Sequence, residues 1–418
     1  MPPRRHRGFR LLVSGQLVSN LGDAIYSVAL PWYVLADHGG ALRLGTVLAA
    51  YGVPRTALLL VGGHASDRFS PWTVMLAANV ARGLAVAAFA VTAGGGLAEE
   101  PILIVIAVVL GAGEGIFIPA SLAIVPTLLP PDELQAGNAL AFGTTQLAQL
   151  VGPAVGGVLI AVVGPAGGFA IDAATFAVSA LTLVGIQRDA PRPAASANQR
   201  AYPDEPTFAT LRGLLASQPI LRLILITDAL LNLGSAGMGR VALPALAKGP
   251  FHLGAGGYGA LTAAMGAGLL LGTLTGSRLR PARRPLLMAT LALLPTAPLI
   301  AAIPYTGGWI PAAILLTLAF VFIAIGNLLL TTALQQWAPP QLLGRVTGLL
   351  MLASIGMLPA SVLLAGILIR FAGPTIYFPL DAVTVLIAAT AQLTSPTWRR
   401  FDPRHPPKAP GPFIEIQA

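Results

Sequence analysis

Residues 9–36 read FRLLVSGQLVSNLGDAIYSVALPWYVLA, and the reading of this stretch decides the reading of the chain. Arginines precede an apolar run long enough to cross a bilayer, which takes about 20 mostly apolar residues. An acid, Asp23, stands in the middle of it. A basic start followed by apolar residues also opens a secretory signal. The run outlasts a signal core of roughly 7–15 residues, however, and no small-x-small cleavage site follows at the usual distance, so a retained first helix is expected.

Composition extends this reading to the whole sequence. Of 418 residues, 55% are hydrophobic and 10% charged, and the mean hydropathy is +0.76. A soluble domain carries about 25% charged residues. A chain this poor in charge cannot cover a water-facing surface, and an all-α membrane protein is expected. The formal charge of +9 does not point to nucleic acid, because the basic residues collect in short loops without interleaved aromatics. There is no cysteine, which excludes disulfides, thiolate metal sites and cysteine nucleophiles. His6, His38, His64, His252 and His405 are scattered over loops and termini without metal-ligand spacing. No glycine-rich loop ends in Lys-Ser/Thr. Neither an enzyme, a metal, another cofactor nor ATP as driver is expected.

On the 20-residue ruler twelve transmembrane segments emerge: 10–36, 44–64, 72–93, 101–127, 138–163, 167–187, 219–247, 256–276, 285–303, 309–334, 345–370 and 374–395. With both termini on one side, most arginines fall in loops on that side, and only Arg43, Lys248 and Arg370 fall opposite. The bias of basic residues makes the terminal side cytoplasmic. The excess of Arg over Lys, with abundant Ala, Gly and Pro, looks like a GC-rich bacterial genome, so a bacterial inner membrane is expected. Residues 188–218 are polar. Pro191, Pro193, Pro203 and Pro206 keep the first part out of a helix. The second part places Phe208, Leu211, Leu214 and Leu215 on one face, as for a short helix lying on the membrane surface. The expected organisation is a six-helix bundle over 1–187, a cytoplasmic linker over 188–218, a second six-helix bundle over 219–398 and a Pro-rich tail over 399–418.

The bundles echo one another. Asn20-Leu21-Gly22 and Val28-Ala29-Leu30-Pro31 recur as Asn232-Leu233-Gly234 and Val241-Ala242-Leu243-Pro244. Pro130-Pro131 recurs as Pro339-Pro340, and Phe169-Ala170-Ile171-Asp172-Ala173 as Phe378-Pro379-Leu380-Asp381-Ala382. Each match lies between 209 and 213 residues after its counterpart. Six is an even number, so the second copy enters the membrane as the first does, and the repeats are parallel.

Local motifs add a resemblance. Gly63-His64-Ala65-Ser66-Asp67-Arg68, placed in the loop after the second segment, is similar to a Gly-x-x-x-Asp-Arg signature. Pro130-Pro131-Asp132-Glu133-Leu134-Gln135-Ala136-Gly137-Asn138-Ala139-Leu140 looks like the loop before a fifth helix. Leu211-Arg212-Gly213-Leu214 and Pro219-Ile220-Leu221-Arg222 look like an entry to a seventh. Gly152-Pro153-Ala154-Val155-Gly156-Gly157 resembles a drug:proton antiporter motif. Together these resemble the major facilitator superfamily, in the branch of enterobactin-exporter and macrolide-efflux-like proteins. There are departures. The signature continues with Ser70-Pro71-Trp72 where the family has Gly and basic residues, and Glu114 stands in the helix where many antiporters carry an arginine. The resemblance implies a secondary transporter whose two bundles rock about a central cavity, with helices one and four among those that line it.

Several residues are candidates for its chemistry. Gln16, Asn20, Asp23 and Ser27 form one stripe on the first helix. A charge at mid-membrane costs at least ~2.5–3.5 kcal/mol, so Asp23 should face a cavity or a partner. It is either a proton carrier or cation contact, or a buried acid bonded to a neighbouring helix. Asp228, Asn232, Ser235 and Gly239 form the matching stripe, with Ser235 where Asp23 stands and Arg240 as a counter-ion for either acid. Glu114 lies among Gly111, Gly113 and Gly115, which allow close backbone approach, and suits reversible protonation or a structural hydrogen bond. Asp172 and Asp381, equivalent in both repeats, read as scaffold. Arg55 and Arg82 either pair with an acid or snorkel. Gly152, Pro153, Gly156 and Gly157 read as a bendable packing seam. Asp67 and Arg68, with Arg345 at the start of the eleventh helix, are candidates for an inner gate. Ser70 and Pro71 form an N-cap and first turn.

The expected function is proton-coupled export of a small apolar, drug-like or siderophore-like molecule by a monomer in the lipid bilayer. Uptake or facilitated diffusion of a metabolite, and a non-transporting sensor, are the alternatives.

Overall fold

The computed structural model describes residues 6–36, 40–96, 99–130, 133–189, 215, 218–278, 283–338 and 340–402. Nearly all of them are helical. With no water to satisfy backbone amides in lipid, a chain this apolar closes its hydrogen bonds within helices.

The first half contains α1 (Arg7–Ala36), α2 (Gly40–Phe69), α3 (Pro71–Gly94), α4 (Glu100–Ala123), α5 (134–163) and α6 (165–189). The second contains α7 (Pro219–Lys248), α8 (Ala255–Ser277), α9 (Pro285–Tyr305), α10 (Trp309–Trp337), α11 (340–372) and α12 (Pro374–Thr394). Among the described residues, nine segments are both long and apolar enough to cross a membrane. One of them, Ala136–Ile186, is two crossings, α5 and α6. They are joined at Gly164, whose φ of 72° and ψ of 171° fall where only glycine sits without strain. The other two helices of crossing length are α1 and α2, each 30 residues long and more polar than the rest. The result is the expected membrane fold of twelve helices in two six-helix bundles.

The ends of the segments differ from the sequence reading by a few residues, and one difference matters. α2 continues to Phe69, so Gly63 to Arg68 form its last turns rather than a loop. Only Ser70 separates it from α3. Ser70 caps α3 as expected, its Oγ accepting from the Thr73 amide at 3.4 Å, ahead of Pro71 in the first turn. Its φ of 70° is a left-handed value held by a non-glycine residue, at the position where the resembled signature has glycine. The surface helix expected over 207–218 lies outside the described residues except for Leu215 and Gln218.

Small residues bring the helices of the first half together. A β-carbon on Gly156 of α5 would lie 3.0 Å from Ile25 Cα of α1, and one on Gly152 would collide with Ala24. The two halves meet through α2 with α11 and through α5 with α8. A β-carbon on Gly157 would come within 2.8 Å of Gly259 Cα, and one on Gly45 within 2.5 Å of the Val362 carbonyl. Gly45 and Gly259 lie near the starts of α2 and α8, and Gly157 and Val362 near the ends of α5 and α11. These contacts therefore gather at the face opposite the chain termini. Lys248 at the end of α7 joins them, donating to the Leu35 carbonyl at the end of α1.

Candidate functional site

Four charged residues inside the first half form two ion pairs. The first joins α1 and α3: Arg82 Nη2 donates to Asp23 Oδ1 at 2.7 Å. Arg82 is 4% exposed, whereas the Asp23 side chain is 36% exposed, so the guanidinium depends on the pair more than the carboxylate does. Two neighbours besides Asp23 fix the arginine. Its stem lies where a side chain on Gly113 of α4 would stand, since a β-carbon there would be 2.6 Å from Arg82 Cγ. Its guanidinium carbon sits 4.4 Å from the centroid of the Phe176 ring of α6, a cation–π contact. Beside it Tyr26, Tyr33, Phe89 and Phe169 pack as a ring cluster, Phe89 stacked on Phe169 at 4.1 Å.

The second pair joins α2 and α4. Arg55 Nη2 lies 3.1 Å from Glu114 Oε1, and the Tyr51 hydroxyl donates to Glu114 Oε2. The glycine spacing explains why these side chains meet. Gly111 and Gly115 are one helical turn apart, as are Tyr51 and Arg55. A side chain on Gly111 would strike the Tyr51 carbonyl, and a β-carbon on Gly115 would be 2.5 Å from the Arg55 carbonyl. The two backbones therefore touch in register, and Glu114 has both Tyr51 and Arg55 within reach. One helix, α4, serves both pairs: Gly113 makes room for Arg82, and Glu114 holds Arg55.

An ionised carboxylate persists within the membrane only while partners such as a guanidinium and a phenol stay bound to it. A proton arriving on Glu114 would cancel the charge that holds Arg55, and one on Asp23 would release Arg82. The arrangement can therefore convert protonation into a change of contact between α2 and α4, or between α1 and α3.

A family model described as Major Facilitator Superfamily matches residues 12–362. The chain belongs to the major facilitator superfamily. It is a membrane transporter of small molecules and not an enzyme. Similar relatives include the enterobactin exporter EntS of Shigella boydii serotype 18 and that of Escherichia coli O81. Each is 30% identical over 350 residues, covering 83% of this chain and 81% of the relative. Among solved structures, a bacterial homologue of the iron transporter ferroportin in an inward-facing state aligns with a TM-score of 0.73 at 16% identity, over 93% of this chain and 98% of that one. A bacterial homologue of the lysosomal transporter Spinster, inward-facing and unoccupied, aligns with a TM-score of 0.73 at 14% identity, over 94% and 96%.

Within this superfamily fold the sequence candidates separate into groups. Asp23 and Glu114 lie in one electrostatic neighbourhood with Arg55, Arg82 and Asp172. The rest of the α1 stripe is elsewhere: Asn20 Nδ2 donates to Thr145 of α5 at 3.1 Å, Ser27 bonds its own helix, and Gln16 is half-buried. Arg240 is the counter-ion of neither Asp23 nor Asp228. Arg82 holds the first, and Asp228 accepts from Ser354 of α11 at 2.6 Å. Asn232 bonds back to the Asp228 carbonyl at 2.9 Å. Gly152, Gly156 and Gly157 lie along the α5 seam with α1 and α8, and the Pro153 carbonyl faces Gly259. Of the gate candidates, the side chains of Asp67 and Arg345 fall outside the described residues. Arg68 is exposed, its guanidinium 5.4 Å from the ring of Phe69.

Two contributors escaped the sequence reading. One is Tyr51, whose spacing to Arg55 matches that of Gly111 to Gly115. The other is Ser361 of α11, buried, which enters the hydrogen-bond ladder of α7. Its Oγ donates to the Leu233 carbonyl at 2.6 Å and accepts from the Gly237 amide at 2.7 Å, the two groups that an unbroken helix would join to each other. The Tyr377 hydroxyl also donates to the Leu233 carbonyl, at 3.3 Å. Directly after this opening α7 widens into a π turn, Met238–Ala242.

Proposed function

We propose that this superfamily member is a proton-coupled exporter that moves a siderophore-like or drug-like molecule by alternating access. The Asp23–Arg82 and Arg55–Glu114 pairs are its coupling groups. The observation that carries the reading is the Glu114 site: an acid within the bundle, held by a guanidinium and a phenol from a helix that also packs against the other half. Proton binding there loosens α2 on the α4 side while α2 remains packed on α11. The two halves are thereby linked to the charge state of one carboxyl.

Further support comes from the seam. Its contacts gather at the face opposite the termini, so the molecule is closed on that side. With the termini cytoplasmic, as the distribution of arginines favours, this is the state that loads substrate from the cytoplasm across a bacterial inner membrane. The solved neighbours named above are inward-facing too. Relatives that export enterobactin favour outward movement of a siderophore-like solute, and the protein acts as a monomer in this scheme.

The test is export of enterobactin and of a panel of amphipathic drugs from a bacterial host stripped of its own pumps. The wild type should raise efflux, and a protonophore should abolish the gain. Glu114→Gln and Asp23→Asn should each cut proton-driven efflux by at least about tenfold, a loss of ~1.4 kcal/mol in the driven step. Efflux that ignores the protonophore, or variants that match the wild type across the panel, would remove the coupling role.

A further inference from the structure

Three arginines belong to the electrostatic neighbourhood of Glu114 and Asp23, and two of them have an acid at hydrogen-bond distance. Arg240 of α7 does not. Among the described residues no carboxylate lies within ion-pair distance of it, yet its charge acts on Glu114 and Arg55 across the boundary between the halves, and on Tyr258 of α8. Asp172, the remaining acid of the neighbourhood, acts on Asp23 and Arg82 instead. Arg240 is also exposed, while its neighbours Met238, Val241 and Ala242 are buried.

Its presentation is built into the fold. Ser361 holds the α7 ladder open at Leu233 and Gly237, and the π turn that follows carries Arg240 and packs against α2. Extra residues in a turn rotate the side chains beyond it, which is why π turns often accompany functional sites. Helical side chains lean toward their own N-terminus. Arg240 therefore leans away from the sealed face and toward the level of Glu114. The Met265 methyl of α8 lies 3.5 Å from where a β-carbon on Gly239 would be, an ordinary contact distance, so an apolar side chain lies beside the residue next to the charge.

We infer that Arg240 is the contact for an anionic group, a carboxylate or an ionised phenol, on an otherwise apolar transported molecule. A guanidinium presents a planar pair of donors that matches a carboxylate and stays charged at any working pH. The Met265 side chain offers an apolar contact to the body of that molecule. The inference rests on the transport reading above and narrows its substrate to an amphipathic organic anion.

Binding without any gradient tests it. The full-length protein in lipid nanodiscs is titrated calorimetrically with salicylate and with its neutral amide, salicylamide, then with 1-naphthoate and 1-naphthamide. The wild type should bind the acid of at least one pair about tenfold more tightly than the amide, the range of one charge-assisted contact. Arg240→Gln should erase that preference, and Arg240→Lys should keep part of it. Ser361→Ala, which lets Leu233 and Gly237 pair again, should weaken it with Arg240 intact. Acid and amide bound equally, or neither bound, by the wild type would overturn the inference. So would a preference that survives Arg240→Gln. Loss of proton-driven export with the acid preference intact would instead count against the exporter reading alone.

Discussion

In the first half Gly22 of α1 faces Asp172 and Thr175 of α6; in the second, Gly234 of α7 faces Asp381 and Thr384 of α12. A side chain on either glycine would collide with the carboxylate opposite. Each aspartate also accepts from the threonine one turn on, at 3.3 Å in the first half and 3.4 Å in the second. Two of the sequence echoes, Asn-Leu-Gly and the Asp-Ala pair, are thus the two sides of one contact made twice. Around it the halves diverge. Ser235 stands where Asp23 does, and aligning Asn79 with Thr290 puts Leu293 where Arg82 is. The α2–α4 contact uses Gly111 and Gly115 of α4 against the Tyr51 and Arg55 carbonyls, with Gly62 of α2 further along against Ile116. Its counterpart, α8 with α10, uses Gly268 and Gly272 of α8 against the Thr317 and Val321 carbonyls. The second half has an opened helix and a π turn where the first has ion pairs. The contacts that recur hold helices together. Those that occur once are where charge is concentrated.

The largest effect should come from the charge that only one half has. Arg82→Ala removes the partner of Asp23, the stem that fills the space above Gly113 and the cation over Phe176. Breaking a buried pair in this way costs about 3–5 kcal/mol. Thermal unfolding in detergent should show a large drop for Arg82→Ala and a smaller one for Leu293→Ala, which removes packing alone. Equal drops would mean that Arg82 serves as a packing residue and that the halves differ less than their charges indicate.

The shared contact predicts the opposite pattern. Gly22→Ala and Gly234→Ala each push a methyl into a buried carboxylate and threonine, and overpacking of this kind costs about 1–3 kcal/mol. The two losses should be alike by the same unfolding measurement. If Gly22→Ala is much the worse, the neighbourhood of Asp23 and Arg82 reaches through Asp172, and the first-half copy is no longer scaffold only.

Much of this was legible beforehand. Helix number, repeat order and the buried roles of Asp172 and Asp381 follow from hydropathy and from residues that recur at offsets of 209 to 213. The glycines around Glu114 announced a close approach. What could not be read was which helix approached and with which side chains. Arg55 and Arg82 each had two readings because pairing depends on the rotation of one helix against another, which spacing along a single helix does not set. Arg240 was paired with the wrong acids for a similar reason. Counting turns along α7 assumes a regular helix, and Ser361 comes from a helix more than a hundred residues away to break the regularity.

The smallest effect concerns the links between helices. α2 and α3 are joined through Ser70 alone, whereas α8 and α9 are separated by residues 278–284. Both following helices begin with proline, Pro71 and Pro285. Ser70 caps α3 with its side chain but holds a φ of 70° and a ψ of 142° to do so; Arg284 precedes α9 at a φ of −130° with no side-chain cap. Left-handed strain on a residue with a β-carbon costs on the order of 1–3 kcal/mol. Exchanging a serine cap for glycine gives up only a few tenths of a kcal/mol. The strain term is the larger, so Ser70→Gly should raise stability by about 1 kcal/mol. Arg284→Gly should give no gain, because no strain is there to relieve. A higher unfolding midpoint for Ser70→Gly alone would show that the tight link of the first half is held against its own backbone preference. A lower midpoint would mean that the Ser70–Thr73 bond outweighs the strain.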